Sequence, residues 1–176
     1  MRKIVLTFGL IAGAILSVMM LIQFQFQIGF DNGAIIGYTT MVLAFLMVFF
    51  GVRSYRDNVA GGSVTFGRAF GVGLLITIVA SVCYVATWQF VYYRLVPDFG
   101  DKYAAYAVEK AKKSGATDAQ IAAKTKEMTE LNQMLKKPLV NIALTFIEPF
   151  PVGILFTLVA AVALRRKRRV QGAAIA

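Results

Sequence analysis

The chain has 176 residues, of which 58% are hydrophobic and only 16% charged, with a mean hydropathy of +0.66. A water-soluble domain carries roughly 25% charge, and here the charges are segregated, leaving long stretches with none. That excludes an ordinary soluble core and indicates an integral membrane protein of the helical kind, because the alternating segments of a spanning barrel are missing from the sequence.

The net charge of +10 is explained by its location. Arg2, Lys3, Arg53, Arg56, Arg68, Arg165, Arg166, Lys167, Arg168 and Arg169 fall on one expected side, opposed there only by Asp57. Basic residues flanking short loops mark the cytoplasmic face, where they meet anionic lipid headgroups. Nucleic acid is therefore not the expected partner. The sequence contains no histidine, which removes His-based acid–base chemistry, His metal ligation and Ser-His-Asp triads. Cys83 is alone in an apolar stretch, so no disulfide framework, metal site or other cofactor is expected.

In chain order, Met1-Arg2-Lys3 is a short basic start and residues 4–24 form the first expected span. This apolar run exceeds a signal-peptide core and no small-x-small site follows it, so a retained span is expected. Gly9, Gly13 and Ser17 repeat at four-residue spacing, lining small residues along one helix face. Gln23-Phe24-Gln25-Phe26-Gln27 reads as an interfacial exit, and a turn at Asp31-Asn32 belongs outside. Residues 33–52 form the second span, again with a small pair, Gly33 and Gly37.

Arg53, Tyr55, Arg56, Asp57 and Arg68, around the glycine turn Gly61-Gly62, make the densest polar patch on the cytoplasmic side. It is a candidate contact for phosphate or lipid headgroups, although a positive-inside loop needs no further role. Residues 69–93 form the third span, with small residues at Gly67 and Gly71 and then at Gly73, Thr77 and Ser81. Trp88, Phe90, Tyr92 and Tyr93 gather at its far end as an interfacial belt, closed by Arg94.

Residues 97–138 are a polar insertion with helical spacing. One helix is expected over 101–113, stopped by Ser114-Gly115. Thr117-Asp118-Ala119-Gln120 matches a capping box and starts a second, with Ile121, Thr125, Met128, Leu131 and Leu135 along one face. The fourth span covers residues 139–164 and is interrupted at Glu148-Pro149-Phe150-Pro151. The two prolines cannot donate to the carbonyls of Thr145 and Ile147, so a kink or break is expected. Glu148 would then sit at the positive end of a new helix beginning at Pro149. An intramembrane acid usually has a reason, which makes Glu148 a candidate for a functional or pairing role, with Arg94 as a candidate partner that helical rise puts further out. The alternative is a proline kink whose acid lies near the outer interface and is simply solvated.

The pattern Gly51-Val52-x-x-Tyr55-Arg56-Asp57, then Gly61-Gly62-x-x-x-Phe66-Gly67, and finally Glu148-Pro149-Phe150-Pro151-x-Gly153 resembles an uncharacterised bacterial membrane family, the domain-of-unknown-function family numbered four-one-nine-nine. The resemblance covers nearly the whole chain. It implies a small bacterial inner-membrane protein with four spans and brings no catalytic residue, cofactor or substrate.

The expected fold is thus all-α: one membrane domain, a four-helix transmembrane bundle with both termini cytoplasmic and a periplasmic helical insertion between the third and fourth spans. The expected role is non-enzymatic, in assembly, envelope homeostasis or regulation of a membrane or periplasmic protein partner, with homo-oligomerisation as a further expectation. A small transporter or ion-coupled protein using Glu148 is the alternative. A lipid-acting membrane enzyme, with Asp57 and its neighbouring arginines, is the second.

Overall fold

The computed structural model describes residues 1–26 and 29–165. The basic run Arg166, Lys167, Arg168 and Arg169, and Gln27 of the interfacial exit, lie outside the described residues. Among those described there is no strand. The elements are α1 (Arg2–Gln25), α2 (Phe30–Asn58), α3 (Phe66–Phe90) with a π-helical turn over Val91–Leu95, α4 (Phe99–Lys113), α5 (Asp118–Leu135), α6 (Pro138–Ile147) and α7 (Pro149–Leu164). Four segments are long and apolar enough to cross a membrane: α1, α2, α3 with its π-helical turn, and α6 with α7. The chain is a multi-pass membrane protein.

The spans run alternately up and down. α1 packs between α2 and α3, and α7 packs on the other side, again against α2 and α3. Core side chains such as Phe45, Val48, Val52, Val72 and Ile76 are fully buried in the bundle. In lipid such a core gains nothing from excluding water between helices. Helices associate instead through close van der Waals contact and hydrogen bonds, which favours small residues where backbones approach.

α2 runs six residues past the expected end of its span. Arg53, Tyr55, Arg56 and Asp57 therefore occupy the last helical turns rather than a loop. Two features extend the helix: Arg53 and Asp57 pair at i, i+4 spacing, 3.7 Å apart, and Tyr55 packs against the core. The chain then turns at Gly61 and Gly62, whose φ angles of 66° and 81° suit residues without a Cβ. Thr65 caps the start of α3, its Oγ1 accepting from the Arg68 N–H at 3.4 Å.

The polar insertion folds into the antiparallel hairpin α4–α5. Its second helix opens with a full capping box: the Thr117 N–H donates to Gln120 Oε1 at 2.9 Å and the Gln120 N–H to Thr117 Oγ1 at 3.4 Å. Met128 is the buried anchor of α5, and Asn132 crosses to α4, donating to Asp101 Oδ1 at 2.6 Å beside Gly100. The hairpin does not project freely. Phe99, at the start of α4, inserts its ring among Trp88 at 4.8 Å, Phe30 at 5.8 Å and Phe24 at 6.0 Å. These rings join the hairpin to the ends of α1, α2 and α3.

The small residues divide into two groups. A Cβ at Gly9 would meet Val79 Cβ at 2.7 Å, and one at Gly13 would meet Cys83 Cβ at 2.6 Å, so α1 approaches α3 closely at both. Nothing lies within 4 Å of a Cβ built at Gly37, Gly67 or Gly71. The expectation that these three mediate helix packing is corrected: they lie on outward faces of α2 and α3, whose other residues at the same level, such as Ala69 and Val72, are buried. Gly33 is half-buried in the first turns of α2. Gly13→Leu should destabilise the protein by about 1–3 kcal/mol through overpacking, seen as a lower melting temperature in detergent. Gly71→Ala should stay within about 0.5 kcal/mol of the parent. A melting loss at Gly71 with none at Gly13 would contradict this packing.

Candidate functional site

The polar atoms buried in the bundle form a seam where α3 meets the fourth span. The antiparallel register of the two helices sets its order, pairing the middle of α3 with α7 and its end with α6. Near the middle, Thr77 Oγ1 donates to the Gly153 carbonyl at 3.3 Å and lies 3.2 Å from Thr157 Oγ1. Both threonines are fully buried, and Gly153 lets the backbones close on each other because a Cβ there would strike Thr77 and Phe45. One turn along α3, the Ser81 hydroxyl is buried with no hydrogen-bond partner among the described residues.

Next comes Glu148. Its Oε2 accepts from the Tyr84 hydroxyl at 2.9 Å. The acid is exposed on the bundle surface while Tyr84 is half-buried, so the pair sits at the edge of the α3 contact rather than inside it. The candidate partner Arg94 is exposed in the π-helical turn beyond α3, and Tyr84 stands beside the acid instead. Glu148 itself is helical, with φ −66° and ψ −58°, and makes no side-chain capping bond to α7. The prolines therefore kink the span at one residue without unwinding it, and Pro149 is packed into the interface.

Asn141 ends the seam, and it is fully buried. Its Oδ1 accepts from Trp88 Nε1 at 3.0 Å and Gln89 Nε2 at 2.9 Å, while its Nδ2 donates to the Leu135 carbonyl at 3.0 Å. Thr145 Oγ1 donates to the Asn141 carbonyl at 2.7 Å. The donors converging on Oδ1 fix the orientation of the amide. One residue thus ties together α3, the end of α5 and the start of α6. Its sequence signal is a lone asparagine in the apolar run after Pro138, and it can be read as a packing node only once the partner donors on α3 are known.

The arginine patch is largely self-paired. Arg56 grips Asp57 with two bonds, Nε to Oδ1 at 2.7 Å and Nη2 to Oδ2 at 3.2 Å, and Arg53 lies on the other side of the same carboxylate. Arg68 stands apart on the first turn of α3. The patch offers exposed guanidinium groups for anionic lipid, but its one carboxylate is held between two cations. Among the described residues no cluster of His, Cys, Asp or Glu is arranged to hold a metal ion.

The domain-of-unknown-function model DUF4199, described as a protein of unknown function, matches residues 7–166. The chain belongs to this family. No curated protein and no solved structure matches it. The DUF4199 match spans all four candidate spans and the hairpin, so both the Glu148 pair and the Asn141 node lie in the part of the chain that the family covers.

At the hairpin end, Asp31 accepts from both the Tyr106 hydroxyl and the Lys110 ammonium, latching α4 to the start of α2. Hydrogen bonding to Asp31, and then to Tyr106, raises the Lys110 ammonium above the ordinary lysine value of 10.5. A raised folded value means this contribution is complete below 10.5 and is lost only as pH rises through the folded value, so the latch is indifferent to pH in the neutral range. It is exposed and therefore screened by salt.

Asn141→Leu removes the acceptor of two half-buried donors and the donor to Leu135. It should cost about 2 kcal/mol, lower the melting temperature in detergent and shift the Trp88 emission. A variant with unchanged melting and emission would show that the node is not structural.

Proposed function

We propose that this DUF4199 protein is a non-enzymatic component of the bacterial inner membrane that acts through a protein partner in assembly, envelope homeostasis or regulation. The observation that carries this reading is the docked hairpin. α4 and α5 are held to the bundle by the Phe99 ring cluster, the Asp31 latch and the Asn141 node, and most of their remaining residues are exposed. A segment fixed this firmly works as a platform, since its binding surface is ordered before a partner arrives.

Orientation follows the positive-inside rule, which weighs short loops and span ends most heavily. Arg2, Lys3, Arg53, Arg56, Arg68 and Arg165 at one end of the spans support a reading with both termini cytoplasmic and the hairpin periplasmic. The eight hairpin lysines make the rule less than unanimous, but they are nearly balanced by six acids, and in sequence ten cationic residues flank the other ends of the spans against one acid. Homo-oligomers are compatible with this role.

Ion coupling through Glu148 has less support: the acid lies at the bundle surface on a helical backbone, not on an enclosed path beside unwound chain. A lipid-acting enzyme has less still, since Asp57 is engaged by Arg53 and Arg56.

A membrane-impermeant lysine crosslinker added to intact spheroplasts tests orientation and partner together. The expected result is a reproducible crosslinked protein, lost when the hairpin lysines are replaced by arginine. Crosslinks that form only after lysis would overturn the orientation, and reaction of the lysines with no captured protein would overturn the partner role.

A further inference from the structure

We propose that the face of the bundle bearing Glu148 is the docking site for a transmembrane helix of another protein that carries a lysine or arginine at the depth of this acid. The inference rests on the partner role above and names the chemistry of one contact.

Depth comes first. At helical rise, Glu148 lies ~25 Å along the fourth span from its Leu164 end, and Tyr84 stands at a similar height on α3. A hydrocarbon layer of about 30 Å measured from Arg165 leaves the acid ~5 Å inside the hairpin-side boundary. Exposed on the bundle surface at that depth, its surroundings are lipid.

Compensation comes next. Tyr84 supplies one hydrogen bond to Oε2, and among the described residues no cation pairs with Glu148. A carboxylate in hydrocarbon with one neutral donor is costly, and such residues pair with opposite charge or face a cavity. The surface beside it is open. α6 packs against α3, α5 and α7, while α2 packs against α1, α3 and α7, and no extensive contact joins α2 to α6. Tyr38 of α2 is exposed, and Leu144 and Ile147 of α6 are exposed beside the acid in sequence. A helix can lie against this face with its own cation directed at Glu148.

A second copy of the chain does not supply that cation. None of residues 4–24, 33–52, 69–93 or 139–164 is lysine or arginine, and Arg94 lies ~15 Å further toward the hairpin than Tyr84. Charge complementarity therefore selects a different protein.

The test uses the full-length protein in phosphatidylcholine vesicles with labelled synthetic transmembrane helices of leucine and alanine. One helix carries a single lysine ~5 Å inside the boundary, one carries leucine there, and one carries the lysine at its centre. Energy transfer should show the first binding at least about threefold more tightly than the other two, the scale of a single polar contact between membrane helices. Glu148→Gln, which preserves shape, should abolish the preference. Equal binding of the three helices to the parent protein would overturn the proposal without relying on any variant. So would a preference that survives Glu148→Gln, or one lost when phosphatidylethanolamine is added, which would make the site one for a lipid amine. A partner captured at the hairpin with no helix preference here would keep the partner role and remove Glu148 from it.

Discussion

Close packing of α3 against both of its neighbours is the constraint on which the rest of the bundle depends. In lipid the apolar surface of a helix is as well solvated by acyl chains as by another helix, so association has to come from shape and from polar contacts. α3 supplies both on each face, including a Thr87 hydroxyl that donates to Ser17 of α1 at 2.7 Å. Toward α1 it presents Val79, Ala80 and Cys83 to the glycines Gly9 and Gly13. Toward the fourth span it presents Gly73, Thr77, Tyr84, Trp88 and Gln89, which meet Thr157, Gly153, Glu148 and Asn141. α1 and the fourth span pack on α2 as well, and α3 adds the interhelical hydrogen bonds.

The same constraint accounts for the irregularity of the fourth span. Two prolines within three residues remove helical donors, and a span with that defect is tolerated where a neighbouring helix packs against it. Pro149 is buried at the α3 contact, with the Thr77 layer on one side of the kink and the Asn141 node on the other. The kink also brings Glu148 to the bundle surface beside Tyr84. The hairpin depends on this arrangement too: α5 leads directly into Asn141, and Trp88, whose indole N–H it accepts, carries the ring cluster that seats Phe99.

The spans were legible because hydropathy over some twenty residues needs no partner to be read. The capping box at Thr117 and the stop at Gly115 were legible for the same reason, being local backbone chemistry. The pairing of Glu148 was not. Arg94, at the end of the third span, was the candidate, although helical rise already put it further out; the antiparallel register brings Tyr84 alongside instead, and register is a tertiary property. The glycines show the limit most clearly. Gly9 and Gly71 belong to equally good small-residue patterns, yet one touches Val79 and the other faces open surface. Spacing tells which residues share a helix face and says nothing of whether that face meets a helix or lipid. The end of α2 was misjudged by hydropathy alone, since the Arg53–Asp57 pair and Tyr55 packing carry the helix past the apolar run.

The central claim is that polar contacts with α3 hold the kinked fourth span in register. A double-mutant cycle between Tyr84→Phe and Glu148→Met, in which neither replacement keeps the hydrogen bond, measured by thermal unfolding in detergent, tests it most directly. Contact between the two side chains predicts a coupling of roughly 0.5–1.5 kcal/mol, the range measured for hydrogen bonds between membrane helices. Strictly additive effects would mean that the two residues do not touch in the folded protein, and the register of the fourth span on α3 would have to be redrawn.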